Sequence, residues 1–210
     1  SHDAPSLFTG IALPPDQRHP LKSLTFACKG MAGRIEEPAH EVLATHDGFE
    51  VRRYAPTVQA RVQKAGPGQG SDGSAFRRVA GYIFGGNDAG MRIAMTAPVH
   101  LWEEDSASML AFTMPSKHAL EALPRPRDAG VHLLNVEAHT VAVLAFSGLS
   151  RPAKVARLAQ RLQAMVEAED YEVSGPYRLA VYDNPGTTLP FMRRNEIHLP
   201  LASGEVGHKA

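Results

Sequence analysis

Gly85-Gly86-Asn87 constrains this chain more than any other stretch. Only Gly and Asn reach left-handed backbone angles cheaply, so a helix carrying Phe76, Val79, Ala80 and Ile83 on one face must stop there. The next segment, Ile93-Ala94-Met95-Thr96, reads as the start of a strand running from Ile93 to Trp102. Pro98 within it cannot donate to a ladder and marks a strand end or a bulge. A helix, a glycine stop and a strand in succession require a mixed α and β architecture. They also exclude a phosphate cradle of the usual kind, which needs its glycines to open a helix.

The rest of the chain repeats that order. Strands are predicted at His40 to Ala44, Phe49 to Tyr54 and Thr57 to Lys64, with a turn at His46-Asp47-Gly48. In the third strand Val58, Ala60 and Val62 alternate with Gln59, Arg61 and Gln63, the mark of a half-buried antiparallel strand. A Gly/Ser-rich loop, Gly66 to Gly73, leads to the first helix, with Ser71, Asp72 or Ser74 as caps. Arg77, Arg78, Gly81 and Tyr82 fall on or beside the face opposite its apolar stripe. A strand at Met109 to Met114 follows the acidic turn Glu103 to Ser106, and further strands are expected at Val131 to Glu137 and Thr140 to Ser147. A second helix runs from Pro152 to about Ala168 with Val155, Leu158, Leu162, Met165 and Val166 as its stripe, before strands at Tyr177 to Asp183 and Arg193 to Leu199. The chain therefore reads as a βαββ unit used twice, an α+β fold in which each helix covers one sheet about a pseudo-twofold axis.

Composition narrows the function. Lys plus Arg and Asp plus Glu both number 22, so no basic field exists to hold a nucleic acid backbone. The single Cys28 forms no internal disulfide and no multi-cysteine zinc site. Val141 to Phe146 is the longest apolar run, far short of a bilayer span, so a soluble protein is expected, cytoplasmic rather than periplasmic. Residues 1–34 carry scattered Pro and Gly without periodicity and read as an extended, poorly ordered N-terminal arm. The chain begins at Ser1 without Met, which fits a removed leader or tag, and Met31 offers an alternative start. Residues 35–201 form the domain, and 202–210 a C-terminal tail.

Five blocks in order give the chain a resemblance. They are the Ile35-Glu36-Glu37-Pro38 start, Glu50-Val51-Arg52-Arg53-Tyr54, Gly81 to Val99, Phe112-Thr113-Met114-Pro115 and the closing Arg193-Arg194-Asn195-Glu196-Ile197. Together they resemble the SOUL haem-binding protein family over about residues 36 to 200. The resemblance implies a distorted antiparallel β-barrel built from the duplicated units and flanked by two helices, and haem or another porphyrin as the ligand. The same barrel resembles the effector-binding domains of bacterial multidrug-responsive regulators.

Some members of that family place a histidine before the Tyr of the Arg-x-Tyr motif as iron ligand. Here the position is Arg53, whose guanidinium stays protonated and offers iron no lone pair, though it can pair with a propionate. Other members use an apolar groove on the first helix, which by position implies Arg77, Gly81 and Tyr82, with Tyr182 facing them. A flat macrocycle needs apolar surface, and its two carboxylates need cations at the rim. Tyr82, Tyr182, Phe191 and Met192 supply the first, and Arg77 or Arg78 the second. The bland alternative is that the arginines only solvate the helix and that Phe191 and Met192 close the core.

Ten histidines invite a metal reading, but no pair has the spacing of a zinc hydrolase. His100 and His118, which follow the Met95 to Val99 and Met114-Pro115 segments, are the loose candidates for iron. His198 is expected to point to solvent, and Met95 and Met114 to pack in the core. No nucleophile elbow or paired carboxylates appear, so no catalytic role is expected. The expected function is reversible binding of haem or a related tetrapyrrole as buffer or carrier. Its rivals are an effector-binding or protein-interaction module on the same barrel without haem, and, third, a haem-modifying enzyme.

Overall fold

The computed structural model describes residues 35–64, 73–183 and 188–202. The N-terminal arm with Cys28, the caps Ser71 and Asp72 and the tail beyond 202 lie outside these. Among the described residues the chain forms β1 (His40–His46), β2 (Phe49–Tyr54), β3 (Thr57–Gln63), α1 (Gly73–Ile83), β4 (Val99–Glu104), β5 (Ala107–Thr113), β6 (Val131–Val136), β7 (His139–Ser147), α2 (Pro152–Ala168), β8 (Arg178–Val181) and β9 (Arg194–Pro200). Every strand pairing is antiparallel, and the order across the sheet is β1-β2-β7-β9-β8-β4-β5-β3-β6.

Without β1 that order is a palindrome about the β4–β8 junction, where Val99, His100 and Leu101 pair with Val181, Ala180 and Leu179. Exchanging β3 with β7, β4 with β8, β5 with β9 and β2 with β6 maps one half onto the other, with α1 and α2 in equivalent places. The two βαββ units also trade strands: β2 pairs with β7 of the second unit, and β6 with β3 of the first. One continuous sheet, curled into a half-barrel, thus replaces the two sheets expected.

Strand alternation divides the sheet into a helix face and an inner face. Under α1, Ala75, Val79, Tyr82 and Ile83 pack on Val58, Ala60, Val62, Leu110, Phe112 and Val131. Under α2, Val155, Ala159, Leu162 and Val166 pack on Val51, Ala142, Leu144, Ile197 and Leu199. Leu158 and Met165 are partly buried against the same cluster, and Ala159 takes the full contact that the sequence reading gave to them. For α1 the phase is corrected more sharply. The buried stripe is 75, 79, 82 and 83, which places Phe76 one helical step off it and 41% exposed, whereas Tyr82 is buried.

The α1 stop is a Schellman motif. Gly85 has φ +108°, the Gly86 N–H donates to Gly81 O at 2.8 Å, and the Gly85 N–H to Tyr82 O at 3.3 Å. A Cβ on Gly86 would lie 2.7 Å from the Gly81 oxygen, so the second glycine is a steric requirement. Buried Asn87 then ties the turn down, its amide donating to Tyr82 O and Met91 O while its oxygen accepts the Met91 N–H. The segment Ile93 to Thr96 is not strand. Its donors go elsewhere, the Ile93 N–H to Ile83 O, the Thr96 hydroxyl to Thr113 O and the Ala97 N–H to Glu36 O. β4 begins only after Pro98, which stands at the strand end as its missing donor demands. Met95 is 39% exposed rather than packed, while Met114 is in the core.

Candidate functional site

Among the described residues two places combine features that could bind a ligand, apart from the exposed apolar turn Leu189 to Met192. The first is the outer face of α1. Phe76, Ala80 and Phe84 stand at four-residue intervals, and Arg77 and Gly81 share the neighbouring row. Phe76 is 41% and Phe84 57% exposed, and a Cβ on Gly81 would meet nothing within 4 Å. The equivalent rows of α2 present Ala156, Gln160 and Ala164, with Arg157 and Arg161 beside them, to solvent, and no aromatic side chain. Two helices in equivalent positions thus carry different outer surfaces: α2 mixes alanine with polar side chains, and α1 exposes two aromatic rings beside a glycine that flattens the face.

Of the two arginines on α1, Arg77 forms no ion pair among the described residues, its guanidinium turned back toward Gly73. Arg78 makes a bidentate pair with Asp128, both contacts 2.7 Å, and Gly130 is a glycine because that guanidinium lies where its Cβ would be. The Arg78 bonds and the Gly130 N–H hold the Asp128 carboxyl down at about 2. Tyr82 lies beneath the helix, donating its hydroxyl to Pro124 O at 3.1 Å.

The second place is the inner face of the half-barrel, polar and yet buried. Arg52 Nη1 lies 3.2 Å from each carboxylate oxygen of Glu196, with its Nε 2.8 Å from Glu50. Tyr182 donates its hydroxyl to Glu196, and His198 Nε2 is 2.8 Å from the same oxygen. Burial works to raise the Glu196 pKa, but His198, Tyr182 and Arg52 outweigh it and bring it to about 2. Burial holds His198 below its ordinary value, so its contact with Glu196 is a hydrogen bond from a neutral ring. Arg194 stacks on the Tyr182 ring at 3.6 Å and pairs with Glu37. Beside this network the His100 and His198 ring centroids are 5.3 Å apart, and Tyr54 stacks on His139 at 5.7 Å.

The residues singled out in the sequence are therefore spread over the fold. Arg77 and Gly81 meet on the outer face of α1, with Arg78 beside them and Tyr82 below. Arg53 is exposed on β2, opposite Glu41, and β7, β9, β8, β4 and β5 stand between β2 and the β3 strand under α1. Tyr182 belongs to the inner face. Phe191 and Met192, 71% and 63% exposed, form the short turn Pro190–Met192, packed on the β7 side. His100 is buried in the inner face, and His118 is half-buried in the turn after Pro115. No group of three or more His, Cys, Asp or Glu able to hold a metal occurs among the described residues. His198 is buried, against the expectation that it points to solvent, because the curl of the sheet encloses the face that alternation assigns to water. The buried network was missed for the same reason, and Phe84 because it stands beyond the apolar stripe.

Comparison with known proteins agrees with this architecture. The SOUL heme-binding protein family model matches residues 35–200, and the chain belongs to that family. It is similar to Heme-binding protein 1 of Bos taurus, 28% identical over 136 residues that span 61% of this chain and 70% of the relative. Heme-binding protein 1 of Sus scrofa is 29% identical over 132 residues, 60% of this chain and 68% of the relative. Among solved structures, an uncharacterized conserved protein from Listeria innocua superposes with a TM-score of 0.58 at 11% identity, over 73% of this chain and 92% of that one. The EcmrR C-terminal domain gives 0.54 at 11% identity over 73% and 96%, a likeness of fold. No helix among the described residues is long and apolar enough to cross a membrane.

Proposed function

We propose that this protein binds haem or a related tetrapyrrole reversibly, as a buffer or carrier, on the outer face of α1. Family membership supports the ligand class, and the contrast between the outer faces of α1 and α2 is the observation that carries the site. The face fits the group's demands: Phe76 and Phe84 offer aromatic surface, Gly81 leaves room for a flat ring to lie close, and Arg77 offers a cation to one propionate. Arg78 is already engaged by Asp128, so a second propionate would compete with a carboxylate. Bound haem would bring an apolar ring, two carboxylates and an iron for which α1 presents no axial ligand. The residues bind and orient; the reading assigns them no catalytic step.

The test is a titration of the purified protein with haemin, read as a shifted Soret band of defined stoichiometry. Metal-free porphyrin binds comparably if the surface and not the iron supplies the affinity. A protein that leaves the haemin spectrum unchanged sinks the proposal and favours an effector-binding or interaction module on the same barrel.

A further inference from the structure

The inner face encloses a hollow with about 20 Å³ of room, lined by His100, His139, His198, Arg178, Gln59 and Thr113 among others. That is space for a few atoms and far too little for a macrocycle. Two buried side-chain nitrogens among the described residues lack a hydrogen-bond partner, His100 Nδ1 and Arg178 Nε, and both side chains line this hollow. Unmade hydrogen bonds of this kind are costly, and more so for a charged group. With the single ring proton of neutral His100 assigned to Nδ1, the two nitrogens at one hollow mark a site that an acceptor completes.

Charge says which acceptor. Arg178 forms no ion pair among the described residues; its guanidinium lies 4.9 Å from the Trp102 ring centre, with Arg61 also stacked on that ring at 5.2 Å. No carboxylate lines the hollow. Glu196 faces it from beyond His198 but is committed to Arg52, Tyr182 and His198, and Glu104 reaches Arg178 only through its field. The three histidines are driven toward the neutral form, chiefly by burial, with Arg178 among the charges acting on His100 and His139. A half-buried cation, its Nε shielded from solvent, beside neutral donors and without a counter-ion among the described residues calls for a small anion.

We infer that the hollow is a carboxylate-binding site, in which an oxygen of the ligand accepts from Arg178 Nε–H and His100 Nδ1–H. The site is separate from the outer face of α1, and its test does not depend on tetrapyrrole binding. The carboxylate belongs either to a free small acid or to the end of a larger ligand that reaches in from the opening.

The experiment titrates the protein with sodium formate, acetate and butyrate at constant ionic strength against sodium chloride, following the imidazole nitrogen signals by NMR. Saturable shifts of His100 are expected, with none at the exposed His40 and His132. Arg178→Gln should weaken the effect by about tenfold or more, the worth of one charged hydrogen bond, and leave any haemin binding unchanged. Affinity that falls with chain length assigns a free small acid, and affinity that rises assigns the end of a longer ligand. An equal response to chloride, no saturable shift in the wild-type protein, or unchanged affinity in a folded Arg178→Gln variant overturns the inference. The wild-type comparison decides even if the variant does not fold.

Discussion

Arg52 on β2 reaches across β7 to place one guanidinium nitrogen 3.2 Å from both oxygens of Glu196 on β9. Each side chain is largely shielded, at 13% and 5% exposure, so the pair is a buried one and both of its members depend on it. Removing Glu196 leaves Arg52 with Glu50 as its remaining carboxylate and takes from Tyr182 and His198 their shared acceptor, which costs about 1–3 kcal/mol. Glu196→Gln should therefore lower the free energy of unfolding in urea by about that amount. A loss of about 0.5 kcal/mol, the ordinary scatter of surface substitutions, would show that Arg52 finds solvent or another acceptor.

Acid should destabilise the protein in two stages. His100 and His198 have native values depressed below 6.5, chiefly by burial, so the unfolded chain binds protons that the native rings refuse. Their contribution is complete above pH 6.5 and declines as the pH falls below it. Glu196 is held at about 2 against 4.5 in the free side chain. Its contribution, roughly 3 kcal/mol in full, is present above pH 4.5 and lost as the pH falls toward 2. Urea unfolding midpoints across this range should fall steadily with acid; a flat profile between pH 7 and about 5 would mean that the buried histidines titrate freely.

Two glycines in one turn of chain should respond oppositely to alanine. Gly81 is helical and its Cβ would stand in open space, so Gly81→Ala should stabilise by about 0.5–1 kcal/mol. The same change at Gly86 drives a methyl to within 2.7 Å of the Gly81 oxygen and must open the Schellman turn. Thermal melts of the two variants check both signs.

How far the sequence could be read is visible in particular residues. α2 spans Pro152–Ala168 as expected, because Pro opens the helix and a regular stripe phases it. In α1 the stripe is ambiguous, since Phe76 and Tyr82 are both large and apolar in body. Only the sheet beneath decides which one it accepts. His198 shows the deeper limit. Alternation with Ile197 and Leu199 identifies the face of the strand, but whether that face meets water depends on curvature contributed by strands far away in sequence. The inner-face pair of Arg52 and Glu196, separated by 144 positions, has no local signature at all.

The two arginines on α1 should have separable roles. Arg77 lies on the outer face of α1 and forms no ion pair among the described residues, so Arg77→Glu should weaken haemin binding by reversing the charge offered to a propionate, with the fold intact by circular dichroism. Arg78→Glu also sets two carboxylates against each other where Arg78 now holds Asp128, so its effect should include a loss of stability that Arg77→Glu does not share. Phe84→Ser removes aromatic surface that the core does not use, and should reduce affinity at unchanged stability. His100→Ala and His118→Ala should leave affinity nearly unchanged, since neither ring belongs to the outer face of α1. Abolished binding in either histidine variant, with loss of a low-spin spectrum, would instead establish an axial ligand and move the tetrapyrrole away from α1. Full affinity in both Arg77→Glu and Phe84→Ser would do the same.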